Sequence, residues 1–367
     1  MQLPNSLDQL LDVSADRVLK VLEDVIQHVQ ILPDFQFSHP RYSPLALEPE
    51  MFNSLQQLST QCQDEYLRWR LGGYLFSLYE LGDVALQLEP KSEAVSLPIQ
   101  DGPVQNTALG VHSPFYEHLH TQNAGKGYFD PGWFVLRKEQ DGLFAVRKDE
   151  LTIHVIGDRH LQPSEEPVTI GDVVAIHLPS NRIEKGCYSA LGNAGPVDLD
   201  REQVVNVYFN LPPEDLALLM GSLTITLNDL NIPFTFKVPY DPEDCDRPDA
   251  GILSIYKIHW CTVYPALQNL YRLQTSFRPE LPLFTKCLAP GLALAEQPTD
   301  VITPQESFGM HRFQVIAQGL IQAWRQSEDA AAARMSYVFQ SFAEHHIDPH
   351  RPYLSPNAED VYAPLVE

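Results

Sequence analysis

The sequence predicts an α+β protein, a helical N-terminal region followed by a mixed β-sheet domain with helices packed on it, and three observations carry that expectation. From Val204 to Asn210, apolar Val205, Val207 and Phe209 alternate with Asn206, Tyr208 and Asn210, the period of a half-buried strand. Pro212 and Pro213 then open a stretch in which Leu216, Leu219, Met220, Leu223, Leu227 and Leu230 recur three or four apart, one helical stripe ended by Asn231 and Pro233. The first hundred residues, by contrast, read as helices.

In that N-terminal region, Leu7, Leu10 and Leu11 follow Ser6, and Val18, Leu22, Val25, Ile26 and Val29 keep helical spacing up to Pro33. The segment from Phe35 to Pro49 holds three prolines and predicts an irregular connector. A second helix is expected from Glu50 to Leu81, its aromatic residues Tyr66, Trp69, Tyr74, Phe76 and Tyr79 explained by helix packing. The polar run from Glu89 to Gly102 marks the boundary, giving regions 1–100, 101–330 and 331–367.

The second region opens with His112, His118 and His120, and Tyr116 shares a helix face with His120. No metal site is expected there, because no carboxylate or further histidine completes a known ligand spacing. Asn123, Gly125 and Gly127 predict a tight turn that carries Lys126, a residue that either contacts phosphate or is simply solvated. Strands are expected from Trp133, across an Asp141-Gly142 turn at Leu143 to Val146, at Leu151 to Ile156 and at Gly171 to Leu178. After the strand and helix of residues 204–230, Phe234 to Val238 and Gly251 to Trp260 read as two more strands, and Tyr264 to Phe277 as a helix. Ser307 caps a helix running through Trp324, whereas the tail after Gln326 shows no sustained pattern.

A chain of 367 residues with 44% apolar content buries a substantial core. Its net charge of -23 argues against general binding of nucleic acid or anionic membrane, both of which need basic patches. Five widely spaced cysteines without a CxxC pair argue against structural zinc or a disulfide framework. The first residues lack a basic segment followed by an apolar run, so a cytoplasmic protein without membrane span is expected.

Three cations stand out against this acidic background. Lys237 is alone in an apolar strand, Arg247 lies in the loop that follows, and Lys257 is placed by alternation with Leu253 and Ile255. An arginine and a lysine that bind phosphate, beside an amine able to lose its proton, are the parts needed for β-elimination from a phosphorylated residue. The ordinary alternative is that Lys237 guards a sheet edge against aggregation and Lys257 snorkels to solvent.

Five segments in order, GKGYFDPGWFVL (125–136), VYFN (207–210), FTFKV (234–238), RPDAGILSIYK (247–257) and ESFGMHR (306–312), resemble the HopA type III effector family and its non-pathogen relatives. That family is distantly similar to phosphothreonine lyases, and some members are the lyases of class V lanthipeptide and thioamitide pathways. The resemblance implies that a separate small-molecule-kinase-like protein phosphorylates Ser or Thr of a precursor peptide, and that this chain eliminates the phosphate to leave a dehydroamino acid, without a cofactor. It assigns the base to Lys237 and phosphate contacts to Arg247 and Lys257, with Arg312 as a later phosphate-binding position. Where phosphothreonine lyases carry Lys-Xaa-His, this chain has Tyr208, Phe209 and Asn210, so the general acid is missing at Asn210. Tyr208 or His311 then supplies the proton, or phosphate leaves as a dianion. The alternative is a non-catalytic HopA-like protein that uses the same groove to bind a peptide, kinase or other protein.

Overall fold

The computed structural model describes residues 7–81, 107–108, 111–139, 142–164, 166–184, 186–199, 203–298 and 307–365. These group into two compact units, one formed by residues 1–101 and 279–367 and the other by residues 102–278. Residues 279–330, which the sequence grouped with the central region, therefore belong with the N-terminal hundred. The boundary expected at 89–102 lies outside the described residues.

The first unit begins with helix α1 (Leu7–His28), which buries Val18, Leu22, Val25 and Ile26. The connector expected to be irregular is instead a three-stranded meander of β1 (Gln30–Ile31), β2 (Phe37–His39) and β3 (Tyr42–Leu45). Its prolines are compatible with strands because Pro40 stands in a turn and Pro44 in edge strand β3, where a missing N–H breaks no required bond. The helix expected over 50–81 is divided into α2 (Pro49–Gln56) and α3 (Thr60–Phe76), because the Ser59 side chain accepts the Cys62 N–H and starts the second one. Of the aromatic residues on it, Tyr74 is buried while Trp69 is 56% exposed, so only part of that stripe packs.

In the second unit, β4 (Thr107–Ala108) and β5 (Val111–His112) precede α4 (Ser113–Gln122). Strands β6 (Tyr128–Lys138), β7 (Leu143–Lys148), β8 (Leu151–Ile156) and β9 (Val173–Leu178) make an antiparallel sheet of order β8-β7-β6-β9 around Trp133, Val135, Phe144, Val146 and Ile176. Next come β10 (Asn181–Glu184), β11 (Cys187–Leu191), β12 (Val204–Phe209), α5 (Pro213–Asp229), β13 (Phe234–Pro239) and β14 (Gly251–Tyr256). These five strands lie in the order β10-β11-β13-β14-β12. Strands β12 and β13, joined by α5, run parallel to one another, but β14 lies between them and is antiparallel to both. A third strand thus splits the strand–helix–strand unit. The strand expected to reach Trp260 stops at Tyr256; residues 257–259 form a 3-10 turn and α6 (Trp260–Leu273) begins there.

The chain then re-enters the first unit with β15 (Lys286–Ala289), β16 (Leu292–Glu296), α7 (Phe308–Arg325) and α8 (Ala331–Glu344). Helix α7 packs against both α3 and α8, and Gly319 lets α8 come close: a Cβ there would stand 2.5 Å from Val338 Cα. The tail read as patternless is therefore partly helical, with Val338 and Phe342 fully buried. It went unread because its three leading alanines supply no contrast between faces. No helix among the described residues is long and apolar enough to cross a membrane.

Candidate functional site

Five aligned residues cross one face of the second unit's sheet: Arg182 on β10, Ser189 on β11, Lys237 on β13, Ile252 on β14 and Tyr208 on β12. Residues opposed in antiparallel strands project to the same side, so pairing alone fixes this row. The alternate positions, among them Phe236, Leu253, Val207 and Phe209, form the apolar face. Gly251 leaves room there, since a Cβ would come within 2.8 Å of Leu216 Cδ2 on α5. The next row on the polar face holds Thr235, Ser254 and Asn206, and Ser254 Oγ donates to Asn206 Oδ1 at 2.7 Å. Backbone N–H groups of Val197 and Asp198 donate to Thr235 Oγ1 at 3.3 Å and to the Tyr256 hydroxyl at 2.8 Å, laying that segment across the same face.

Lys237 is only part-buried, its side chain 35% exposed, and its Nζ donates to Glu184 Oε2 at 2.6 Å. Arg182 Nη1 approaches the other oxygen, Oε1, at 3.8 Å. Arg182 in turn hydrogen-bonds the hydroxyl of Tyr128, which the charges of Lys148 and Asp130 also reach. Burial pushes the Tyr128 phenol above its ordinary value, so at neutral pH it is a donor. The Cys187 thiol is raised by burial and by Glu184, against the opposing effect of Lys237, so it is no ready thiolate.

The other candidates are distributed as follows. Arg247 sits in the loop joining β13 to β14, at the Lys237 end of both strands, and its guanidinium forks onto the two oxygens of Asp249. Tyr208 is two strands from Lys237 in the same row, roughly 10 Å by strand spacing. Asn210 follows the end of β12 on the side of that loop; it is buried, and its carbonyl accepts from Arg278 N–H at 3.0 Å. Lys257 lies at the opposite end of β14, five residues past Ile252 and about 16 Å along the strand direction. The sheet therefore brings Lys237, Arg247, Tyr208 and Asn210 to one end and leaves Lys257 at the other. Lys126 is exposed on its turn, with its N–H on Asn193 Oδ1 at 2.7 Å.

His311 and Arg312 belong to the first unit. Arg312 is 1% exposed and donates to the carbonyls of Pro352 at 2.7 Å and Leu354 at 3.1 Å, with His311 Nδ1 at 2.8 Å. It ties the C-terminal segment to α7. Also in this unit, Asp24, His28 and His39 converge, a group of the composition that holds metals. Its hydrogen bonds point elsewhere. His39 Nδ1 accepts the Arg41 N–H at 3.2 Å, which places the ring proton on Nε2, directed at Asp24 at 3.2 Å, and Arg41 Nη2 occupies both Asp24 oxygens at 2.9 and 3.1 Å. The group is a closed polar network.

Sequence reasoning missed Arg182, Glu184 and Tyr128. A signal for two of them exists: in Asn181–Glu184 the charged pair alternates with Ile183, as on one face of a strand.

Residues 178–354, which contain this whole row, match the HopA1 effector protein family. The chain is HopA1-like over that span. The structure aligns with an effector protein from Pseudomonas syringae pv. tomato strain DC3000 at 12% identity and a TM-score of 0.45, covering 95% of this chain and 100% of the other. A second effector protein, from Pseudomonas syringae pv. syringae strain 61, aligns at 13% identity and a TM-score of 0.41, covering 81% and 99%. No curated protein matches. The HopA1-like span holds Lys237, Arg247 and Arg182 in the second unit together with Arg312 in the first.

Proposed function

We propose that this HopA1-like chain is a phosphoserine/phosphothreonine lyase of peptide modification, acting in the cytoplasm on a precursor peptide phosphorylated by a separate kinase. The observation that carries the reading is Lys237: a part-exposed amine on a polar sheet face, with Arg247 at the same end of its strands and Arg182 in its row. In the reaction the amine of Lys237 takes the Cα proton, the C–H electron pair becomes the Cα=Cβ bond, and the Cβ–O bond breaks as phosphate leaves. An ammonium held by Glu184 is a donor, so Lys237 must leave that partner and lose its proton before its lone pair acts as a base. Tyr128, a buried neutral phenol beside Arg182, is better placed by its contacts than His311 to give a proton to the leaving phosphate.

A second reading is favoured by the same ion pair. If Lys237 stays with Glu184 at 2.6 Å, the face binds a phosphorylated peptide or a protein partner without turnover. Mass spectrometry of a phosphoserine peptide incubated with the protein distinguishes them. Elimination leaves a peptide lighter by one water than the unphosphorylated form, hydrolysis restores that form, and unchanged phosphopeptide supports binding alone.

A further inference from the structure

The carboxylate of Glu184 lies between two cations that belong to different strands, Lys237 on β13 and Arg182 on its own strand β10, and it offers each a separate oxygen at 2.6 and 3.8 Å. Register puts the hydroxyl of Ser189 between the same two cations, and the hydroxyl of Tyr128 is bonded to Arg182. Of these groups, the two cations reach the Glu184 carboxylate. The apolar face of the sheet is built on the other side. The pair is also open to water, with 35% of the Lys237 side chain and 28% of Glu184 exposed, and ion pairs of that exposure contribute little to stability. A phosphoryl dianion carries twice the charge and three acceptor oxygens, so it outcompetes a single carboxylate at modest cost.

We infer that Arg182 and Tyr128 form a phosphoryl-binding subsite beside Lys237, and that Glu184 is a built-in competitor that holds Arg182 and Lys237 when no phosphorylated ligand is bound. The inference takes the phosphoryl class of its ligand from the proposed elimination, but it concerns binding and holds whether or not turnover follows. Arg182 becomes a phosphate-contacting residue and Glu184 a positioning residue that holds the Lys237 side chain in place. Displacement of Glu184 by arriving phosphate releases Lys237 from its carboxylate partner, and the ammonium then passes a proton to solvent before its lone pair acts.

The test is calorimetric titration with inorganic phosphate and, separately, with a phosphoserine peptide, on wild type, Glu184→Gln and Arg182→Ala. Removing the competitor should tighten both ligands by roughly three- to tenfold, the size expected of one part-exposed ion pair. Arg182→Ala should weaken both by a similar factor, with Arg182→Lys between. Equal or weaker binding by Glu184→Gln, or unchanged binding by Arg182→Ala, overturns the inference. If Glu184→Gln does not fold, Glu184→Ser removes the same charge and is read in the same way. Failure of the two proposals is separable. Binding that follows this pattern without any dehydrated product sinks the lyase reading and keeps the subsite, whereas dehydration by wild type with no response to either substitution does the reverse.

Discussion

At the scale of single residues, the ion pair of Lys237 with Glu184 decides what substitution should do. Lys237→Ala should reduce elimination by about 10²-fold or more, the size of a lost general base, while phosphopeptide binding survives through Arg182 and Arg247. Lys237→Arg should be as inactive, because guanidinium does not release its proton near neutral pH. Product mass on a phosphoserine peptide is the readout, with circular dichroism confirming that each variant is folded. Normal turnover by the alanine variant would remove the residue on which the lyase reading depends. Lys237 was legible because a cation interrupts an apolar strand. Glu184 and Arg182 were not, because their significance comes from the order β10-β11-β13, which no local pattern encodes. Lys257 shows the converse: alternation aligned it with Leu253 and Ile255, but the strand ends one residue earlier, and the pairing of Lys237 with Ile252 puts it a strand length away.

At the scale of elements, α1, β2 and the helical turn after α3 are joined through Asp24, which accepts from His39, Arg41 and the Tyr79 hydroxyl at 2.7 Å. Burial alone would raise the Asp24 carboxyl; the hydrogen bonds of Tyr79 and His39 and the charge of Arg41 outweigh it and hold it below 3.8. Burial lowers His39 below 6.5 despite Asp24. The signs agree. A histidine depressed in the folded state protonates first in the unfolded chain, so stability falls as pH drops below 6.5, and the Asp24 contribution is lost only below 3.8. The melting temperature should therefore decrease from pH 7.5 to 5, and His39→Gln, which keeps a donor towards Asp24 without titrating, should flatten that decrease. Parallel slopes for the two proteins would refute the assignment. This junction was hidden for the same reason that the meander was: prolines in residues 33–49 mask strands that tolerate them at turns and an edge.

At the scale of the whole molecule, the long periodic segments were readable: α1, β8, β12, α5 and β13 all lie within a few residues of where spacing puts them. What spacing does not carry is the membership of the first unit, whose halves are separated in the chain by the whole of the second. Helix α3 buries Leu67, Leu71 and Leu75, and its partner α7 comes from the returning segment. Residues 1–101 produced alone should consequently lack fixed tertiary structure, as seen by poor amide dispersion in NMR, and should order when residues 279–367 are supplied. A well-dispersed spectrum from the isolated fragment would contradict this. The same discontinuity sets a schedule for biogenesis. Residues 1–101 are made before residues 102–278 and wait for their partner until that segment is complete, roughly ten to forty seconds at ordinary elongation rates. During that interval the apolar face of α3 lacks the native surface that α7 supplies, so chaperones shield this segment of the nascent chain for longest.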